Sequence, residues 1–406
     1  MKKVLALALV LMLLMSSAAL ADITVSGWSM PVNDAADMFW DSLEAYDFAV
    51  DYQPQPGYSD TVNMLTTMVA SGDDSVDVML VDEIMLLAFT RAGFLEPIDD
   101  VVTEDDMADF IPEYIEKFCK YDGKLYAVPA SAGCHNLAVN MEMLNAAGVK
   151  VPTNEQEFID ACVALTDKEN NKYGLVMSLD KASHLQDNIN MFCLMFGGNY
   201  YDFTLEGTQR AIKFLYDLIN TYEVVSKDCM GYDDSAANQA FLDGYAGMYY
   251  NWSTVPTLET AGVFGPDKCT WVPQPTFVTN KTMMDGWSWV INGNSSNMEE
   301  AKAFVKAQTG VEAQLAFRLP AGGLAANTAS WTDERTLEVC GNMSEMFQNY
   351  NAEGCLTPRT LSTRHSEFMD VVTGTVQRYL LDEITFEECI DTCIAQTEAI
   401  LEKAAD

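Results

Sequence analysis

Three short apolar runs, Ile23 to Ser26, Phe48 to Tyr52 and Val76 to Val81, read as strands, and a helix fits between the last two. Val62, Leu65, Met68 and Val69 fall on one face of that helix, and Asp60 stands where a cap is expected. A strand, a helix and a second strand in this order describe a βαβ unit, because a parallel pair needs a crossover that a hairpin does not. The alternation continues over nearly the whole chain, which predicts an α/β fold with mostly parallel sheets.

Helix starts are written into the sequence further on. Thr153 and Gln156 have capping-box spacing ahead of Phe158, Ile159, Cys162 and Leu165. Thr385 and Glu388 have the same spacing ahead of Ile390, Ile394 and Leu401. Ala211, Ile212, Phe214, Leu215, Leu218 and Ile219 mark another helix, and Ala301, Phe304 and Val305 begin one more. There is no internal repeat and no low-complexity tether. Domain boundaries are expected where Pro and Gly mark strand crossings, near Pro129 to Gly133 and at Asp285-Gly286.

The first 21 residues read as a leader. Lys2 and Lys3 precede an apolar stretch from Val4 to Met15, and Ala19-Leu20-Ala21 supplies small residues for cleavage after Ala21. The apolar core falls short of the ~18 residues of a spanning helix, and no cysteine follows the cleavage point to carry a lipid. What remains has room for two or three domains of ~100–200 residues. Its charge argues against two partner classes: with a net charge of −37, the chain repels phosphate backbones and anionic headgroups, so no nucleic acid is expected as a partner. The ten cysteines show no Cys-x-x-Cys pair and the three histidines are scattered, so buried free thiols are expected and no metal.

No signature of catalysis emerges. An enzyme needs a nucleophile with its base, a paired-carboxylate motif or a metal cluster, and Gly197-Gly198 is too short for a phosphate loop. Ligand-holding residues are better placed, because open α/β sheets bind ligands beyond the carboxyl ends of their strands. Trp28 and Ser29 follow the first strand, Asp82 and Glu83 follow the third, and Trp252 follows an apparent strand from Gly247 to Tyr250. An indole face suits the C–H face of a sugar ring, while carboxylates and amides bond its hydroxyls. The same residues could box in an amine by cation–π attraction and charge pairing. Composition alone leaves both open.

Several segments in order resemble a known family. Val76 to Asp82 followed by Ala92-Gly93-Phe94-Leu95-Glu96-Pro97-Ile98-Asp99 is similar to a strand ending in Asp and then A-G-x-L-x-P-L-D. Gly123-Lys124-Leu125-Tyr126-Ala127-Val128-Pro129 and Leu137-Ala138-Val139-Asn140 resemble the G-K-x-Y-x-V-P crossing and the strand beyond it. Ala147-Gly148-Val149 with Pro152-Thr153, Gly197-Gly198, Phe241 to Met248 and Pro273-Gln274-Pro275 follow in the same order. Together they resemble family 1 of the bacterial extracellular solute-binding proteins, across most of the chain; Glu155 stands near a position where that family often has Trp.

The resemblance implies a periplasmic-binding-protein type II fold: two α/β lobes joined by crossing hinge strands, with ligand held in a cleft that closes on binding. It places residues 22–130 with approximately 288–335 in the first lobe and 131–287 with approximately 336–406 in the second. It implies a non-enzymatic, monomeric, periplasmic carrier that delivers a carbohydrate to the transmembrane subunits of an ABC permease, without a cofactor. Carried over by position, Asp82 resembles the cleft aspartate, Tyr201 the aromatic after Gly-Gly, Trp252 a loop position and Trp287 a hinge position. Trp28, Ser29 and Tyr58 occupy first-lobe loops. Cys134-His135 reads as hinge structure, and Arg364 and His365 as surface salt-bridging residues. A carrier of polyamines or quaternary amines, a secreted glycosidase and a structural surface protein are the alternatives.

Overall fold

The computed structural model describes residues 22–404 apart from 32–35, 182–183, 253–267, 360 and 363, with Tyr58, Ser59 and Ala404 described by their backbone alone. The expected leader lies outside the described residues. Among those described, no helix is long and apolar enough to cross a membrane.

The strands in chain order are β1 (Ile23–Gly27), β2 (Val50–Pro54), β3 (Val78–Asp82), β4 (Lys120–Tyr121), β5 (Lys124–Leu125), β6 (Ala127–Pro129) and β7 (Gly133–Asn140). They continue as β8 (Tyr173–Met177), β9 (Ala246–Trp252), β10 (Cys269–Val272), β11 (Thr282–Asp285), β12 (Trp287–Ile291) and β13 (Leu356–Pro358). The chain divides into two compact units. One comprises residues up to Ala130 with Trp287–Pro320, the other Ser131–Gly286 with residues from Ala321 onward.

The first unit is built on the sheet β2-β1-β3-β12-β6. β1 pairs parallel with both β2 and β3, and the helix Tyr58–Ser71 connects β2 to β3, which is the βαβ unit expected from the spacing. Every residue of β3 is buried, as its run Val-Met-Leu-Val requires of a strand covered on both faces. β12 enters antiparallel between β3 and β6. Its Trp289 is 1 % exposed and packs edge-on against Phe304 and Phe317 of the two following helices, Met298–Ala307 and Val311–Arg318.

The second unit carries the sheet β13-β11-β7-β9-β8, with β10 on the remaining part of β7. β7 is its axis, antiparallel to β9, β10 and β11. β8 is parallel to β9, and β13 is parallel to β11. Both sheets are therefore mixed and not mostly parallel, because β7 and β12 run against their neighbours.

Two helix starts differ from expectation by a few residues. The helix Tyr58–Ser71 begins at Gly57, which has extended backbone and accepts the first turn's bond from Thr61 N–H at 2.9 Å. Asp60 sits inside the first turn, where a carboxylate meets the positive end of the helix dipole. The helix Glu155–Leu165 is capped by Asn154, whose Oδ1 accepts from Glu157 N–H at 3.0 Å, while Glu157 accepts from Thr153 N–H and Oγ1–H. The reciprocal box thus runs from Asn154 and Thr153 to Glu157 rather than from Thr153 to Gln156. The box at Thr385 and Glu388 forms as read: Thr385 N–H donates to Glu388 and Glu388 N–H to Thr385, opening the helix Phe386–Ala404.

Candidate functional site

In the first unit the chemistry collects where β1 and β3 end. Trp28 follows β1, and its carbonyl accepts the Tyr52 hydroxyl proton at 2.7 Å. Its ring lies edge-on to Trp287, centroids 5.2 Å apart, and nearly parallel to Phe317 at 5.5 Å. The Arg318 guanidinium stands over the same indole, 4.8 Å from its centroid, with the residue buried. Trp287 opens β12 directly opposite Asp82, the last residue of β3. Asp82 Oδ1 accepts Met85 N–H at 2.8 Å and so caps the helix Glu83–Arg91. Glu83 is 2 % exposed. Trp28, Asp82, Glu83 and Trp287 thus share one strand-end region; Ser29 is exposed beside Trp28, and Tyr58 opens its helix with a side chain outside the described residues.

In the second unit Trp252 is the last residue of β9 rather than a loop residue beyond it. His135, its neighbour across the ladder on β7, meets the indole edge-on at 4.6 Å. His135 Nδ1 lies 3.2 Å from Met191 Sδ, and the ring is 1 % exposed. Burial pushes His135 down to about 3, with Asp234 opposing and the Arg359 and His184 charges assisting, so the ring is neutral. Arg359 follows β13 and is fixed there by its N–H bond to the Met284 carbonyl at 3.1 Å. Its guanidinium sits 5.4 Å from the Trp252 ring centroid and 3.3 Å from Asp187 Oδ1. Asp187, on the helix His184–Met195, also accepts a hydrogen bond from the Trp252 side chain. Burial raises the Asp187 carboxyl, and Arg359 and His184 pull against it.

Tyr201 follows the Gly197-Gly198 turn and packs on Phe368, centroids 4.3 Å apart. Its hydroxyl accepts Ser362 N–H at 3.1 Å and lies 2.5 Å from His365 Nδ1. Burial and the Arg359 charge hold His365 near 3, so it is a buried neutral ring and not a surface salt-bridging residue. Its half-buried neighbour Arg364 does pair with Glu367. The glycine pair has a packing cause: Gly197 has φ +71°, and a Cβ on Gly198 would stand 2.4 Å from Thr208 N.

The helix that carries Asp187 opens with a further charged group. His184 bonds Asp180 through Nδ1 and stands 3.2 Å from Asp234 through Nε2, and Ser178 Oγ–H donates to Asp234 at 2.8 Å. Burial disfavours the imidazolium, but the bonds to Asp180 and Asp234 prevail and push His184 up to about 10.

Arg318, Arg359, Asp187 and His184 escaped the reading of the sequence. The one signal for Asp187 was the polar run Gln186-Asp187-Asn188 in a helix that buries nearly all its residues, and a linear pattern does not show which polar groups face inward. The ten cysteines are all buried and none is joined in a disulfide.

The strand ends thus present aromatic faces, fixed hydrogen-bond groups and paired charges. The model of the bacterial extracellular solute-binding protein family matches residues 22–315. The chain belongs to that family, whose members bind solutes and are not enzymes. It is 27 % identical over 184 residues to the maltotriose-binding protein of Pyrococcus abyssi, covering 43 % of this chain and 37 % of that protein. It is 23 % identical over 293 residues to the erythritol/L-threitol-binding protein of Mycolicibacterium smegmatis, covering 65 % of this chain and 60 % of that one. The chain thus matches less than two thirds of the length of either relative. The maltose-bound MalE3 of T. maritima shares the fold, with a TM-score of 0.80 at 22 % identity over 93 % of this chain and 99 % of that one.

Proposed function

We propose that this chain is the substrate-binding component of an ABC importer, capturing a neutral sugar or polyol outside the cytoplasmic membrane, in a periplasm, and delivering it as a monomer to the permease subunits. Trp28, Trp252, Trp287 and Tyr201 supply the aromatic surfaces, and Ser29, Tyr58, Asp82 and Glu83 the neighbouring polar groups. The named relatives bind maltotriose and erythritol or L-threitol, so the family accommodates neutral polyols from small to oligomeric.

The observation that carries the reading is that two tryptophans, one in each unit, already hold an arginine. Arg318 lies 4.8 Å from the Trp28 centroid and Arg359 5.4 Å from that of Trp252. An amine ligand would compete with a resident cation for each indole and face it at ~5 Å. At an effective dielectric constant of ~20 that repulsion is about 3 kcal/mol, roughly two orders of magnitude in affinity. The Asp187 carboxylate, 3.3 Å from Arg359, and the Asp82 carboxylate in the Trp28 region reduce this repulsion, so the figure is its upper bound, but neither moves the arginines off the indole faces they occupy. A neutral polyol meets no such penalty and can use the guanidinium N–H groups as donors.

A thermal-shift panel of mono- and oligosaccharides, alditols, polyamines and betaines tests the reading. A ligand that binds only the native state raises the midpoint by linkage. A sugar or alditol raising it is the expected result; a response confined to the cations would overturn it.

A further inference from the structure

Trp252 is only partly exposed, and its indole is held from three directions. The Asp187 carboxylate accepts its N–H, the Arg359 guanidinium stands over its face, and His135 meets its edge from the adjacent strand. Each holding group is itself fixed. Asp187 and Arg359 pair with each other at 3.3 Å, with side chains 9 % and 7 % exposed. Arg359 is tied to β11 through its backbone, and His135 lies within β7.

Stability alone is a poor explanation for this pair. Two charges withdrawn from water lose hydration that their mutual attraction only partly restores, and apolar replacements of similar volume are often as stable or more so. A stacking platform has a different requirement. An indole free to turn about its two side-chain torsions loses that freedom on meeting a sugar ring, which weakens binding, whereas an indole already fixed does not. We propose that Asp187 and Arg359 are a positioning pair, which fixes the plane of the Trp252 indole before ligand arrives and thereby sets sugar affinity. This rests on the carbohydrate reading for the affinity part and stands apart from it for the indole geometry.

Removing one charge strands the other in a buried site and can unfold the protein, so the informative variant is the double D187L/R359M, with D187N/R359Q as its more nearly isosteric alternative. Two quantities are read on wild type and variant. The first is the solvent exchange rate of the Trp252 indole N–H in the ligand-free protein, its NMR signal assigned by its loss in W252F. The second is affinity for maltotriose and erythritol by calorimetry. The expected result is a double variant whose melting midpoint stays within a few degrees of wild type, whose indole N–H exchanges at least tenfold faster, and whose sugar affinity falls at least tenfold. Wild-type exchange together with wild-type affinity in the folded variant would overturn the proposal. If neither sugar binds the wild-type protein, the carbohydrate reading loses support for those two ligands. Exchange then decides alone: faster exchange upholds the positioning role, and an unchanged rate removes it.

Discussion

Trp287 stands directly across the β-ladder from Asp82, so the residue that opens β12 meets the residue that closes β3. Asp82 serves the fold here as well as any ligand, because its carboxylate caps the helix Glu83–Arg91. Asp82→Ala should therefore lose about 1 kcal/mol of stability in denaturant unfolding, whereas Asp82→Asn, an equally good cap, should lose only a few tenths. Any loss of sugar affinity in Asp82→Asn then reports a ligand role free of the capping cost.

Stability should peak near pH 6.5 through three histidines. His135 and His365 are held to about 3 in the folded state against an ordinary 6.5, so the unfolded chain takes up their protons first. Stability accordingly falls as pH drops from about 6.5 to about 3, by up to about 1.4 kcal/mol per pH unit for each ring. His184 is pushed up to about 10, and its contribution, complete below 6.5, is lost as pH rises toward 10. Urea unfolding across this range should show both limbs, with His184→Gln flattening the alkaline one and His365→Asn reducing the acid one.

Glycine replacements should separate by what a methyl group would meet. A Cβ on Gly174 would lie 2.0 Å from the Cys162 carbonyl oxygen, and one on Gly198 2.4 Å from Thr208 N. Backbone cannot yield as a side-chain tip can, so Gly174→Ala and Gly198→Ala should each cost about 1–3 kcal/mol or more. Gly374, within the helix His365–Leu380, has open space around it, and Gly374→Ala should stabilise by about 0.5–1 kcal/mol. Chemical denaturation of the three variants checks the order.

The cysteines should be silent in the native protein. All ten are buried and outside disulfides, and burial pushes the Cys119 and Cys193 thiols up to about 12, so little thiolate is available. A chromogenic thiol assay should register almost none within minutes under native conditions and ten per chain in denaturant. Fewer than ten after denaturation would show that disulfides form.

Much of the fold was legible because it rests on local patterns. The β1–β3 region, the box at Thr385 and the apolar face of Met298–Ala307 follow from spacing, which strand and helix geometry impose directly. The antiparallel placement of β7 and β12 was not legible, since strand direction depends on where distant segments return. The candidate site divided the same way. Trp28, Asp82 and Trp252 were visible as strand-end residues, and Tyr201 through its motif. The groups that hold them were hidden: Arg318 closes an amphipathic helix, Arg359 follows a three-residue strand, and His365 looked like half of an exposed basic pair. Their roles arise from contacts across hundreds of positions or from burial, and neither is written in local sequence.

A neutral sugar or polyol is the proposed ligand, bound through the tryptophans of the chain. Calorimetric titration of wild type and Trp252→Ala with the leading sugar of the thermal-shift panel, at low and high salt, tests it most directly. The account predicts saturation at one ligand per chain with an affinity nearly independent of salt, and at least a tenfold loss in Trp252→Ala without a change in melting midpoint beyond a few degrees. Binding that collapses with salt, or that survives Trp252→Ala unchanged, would contradict it.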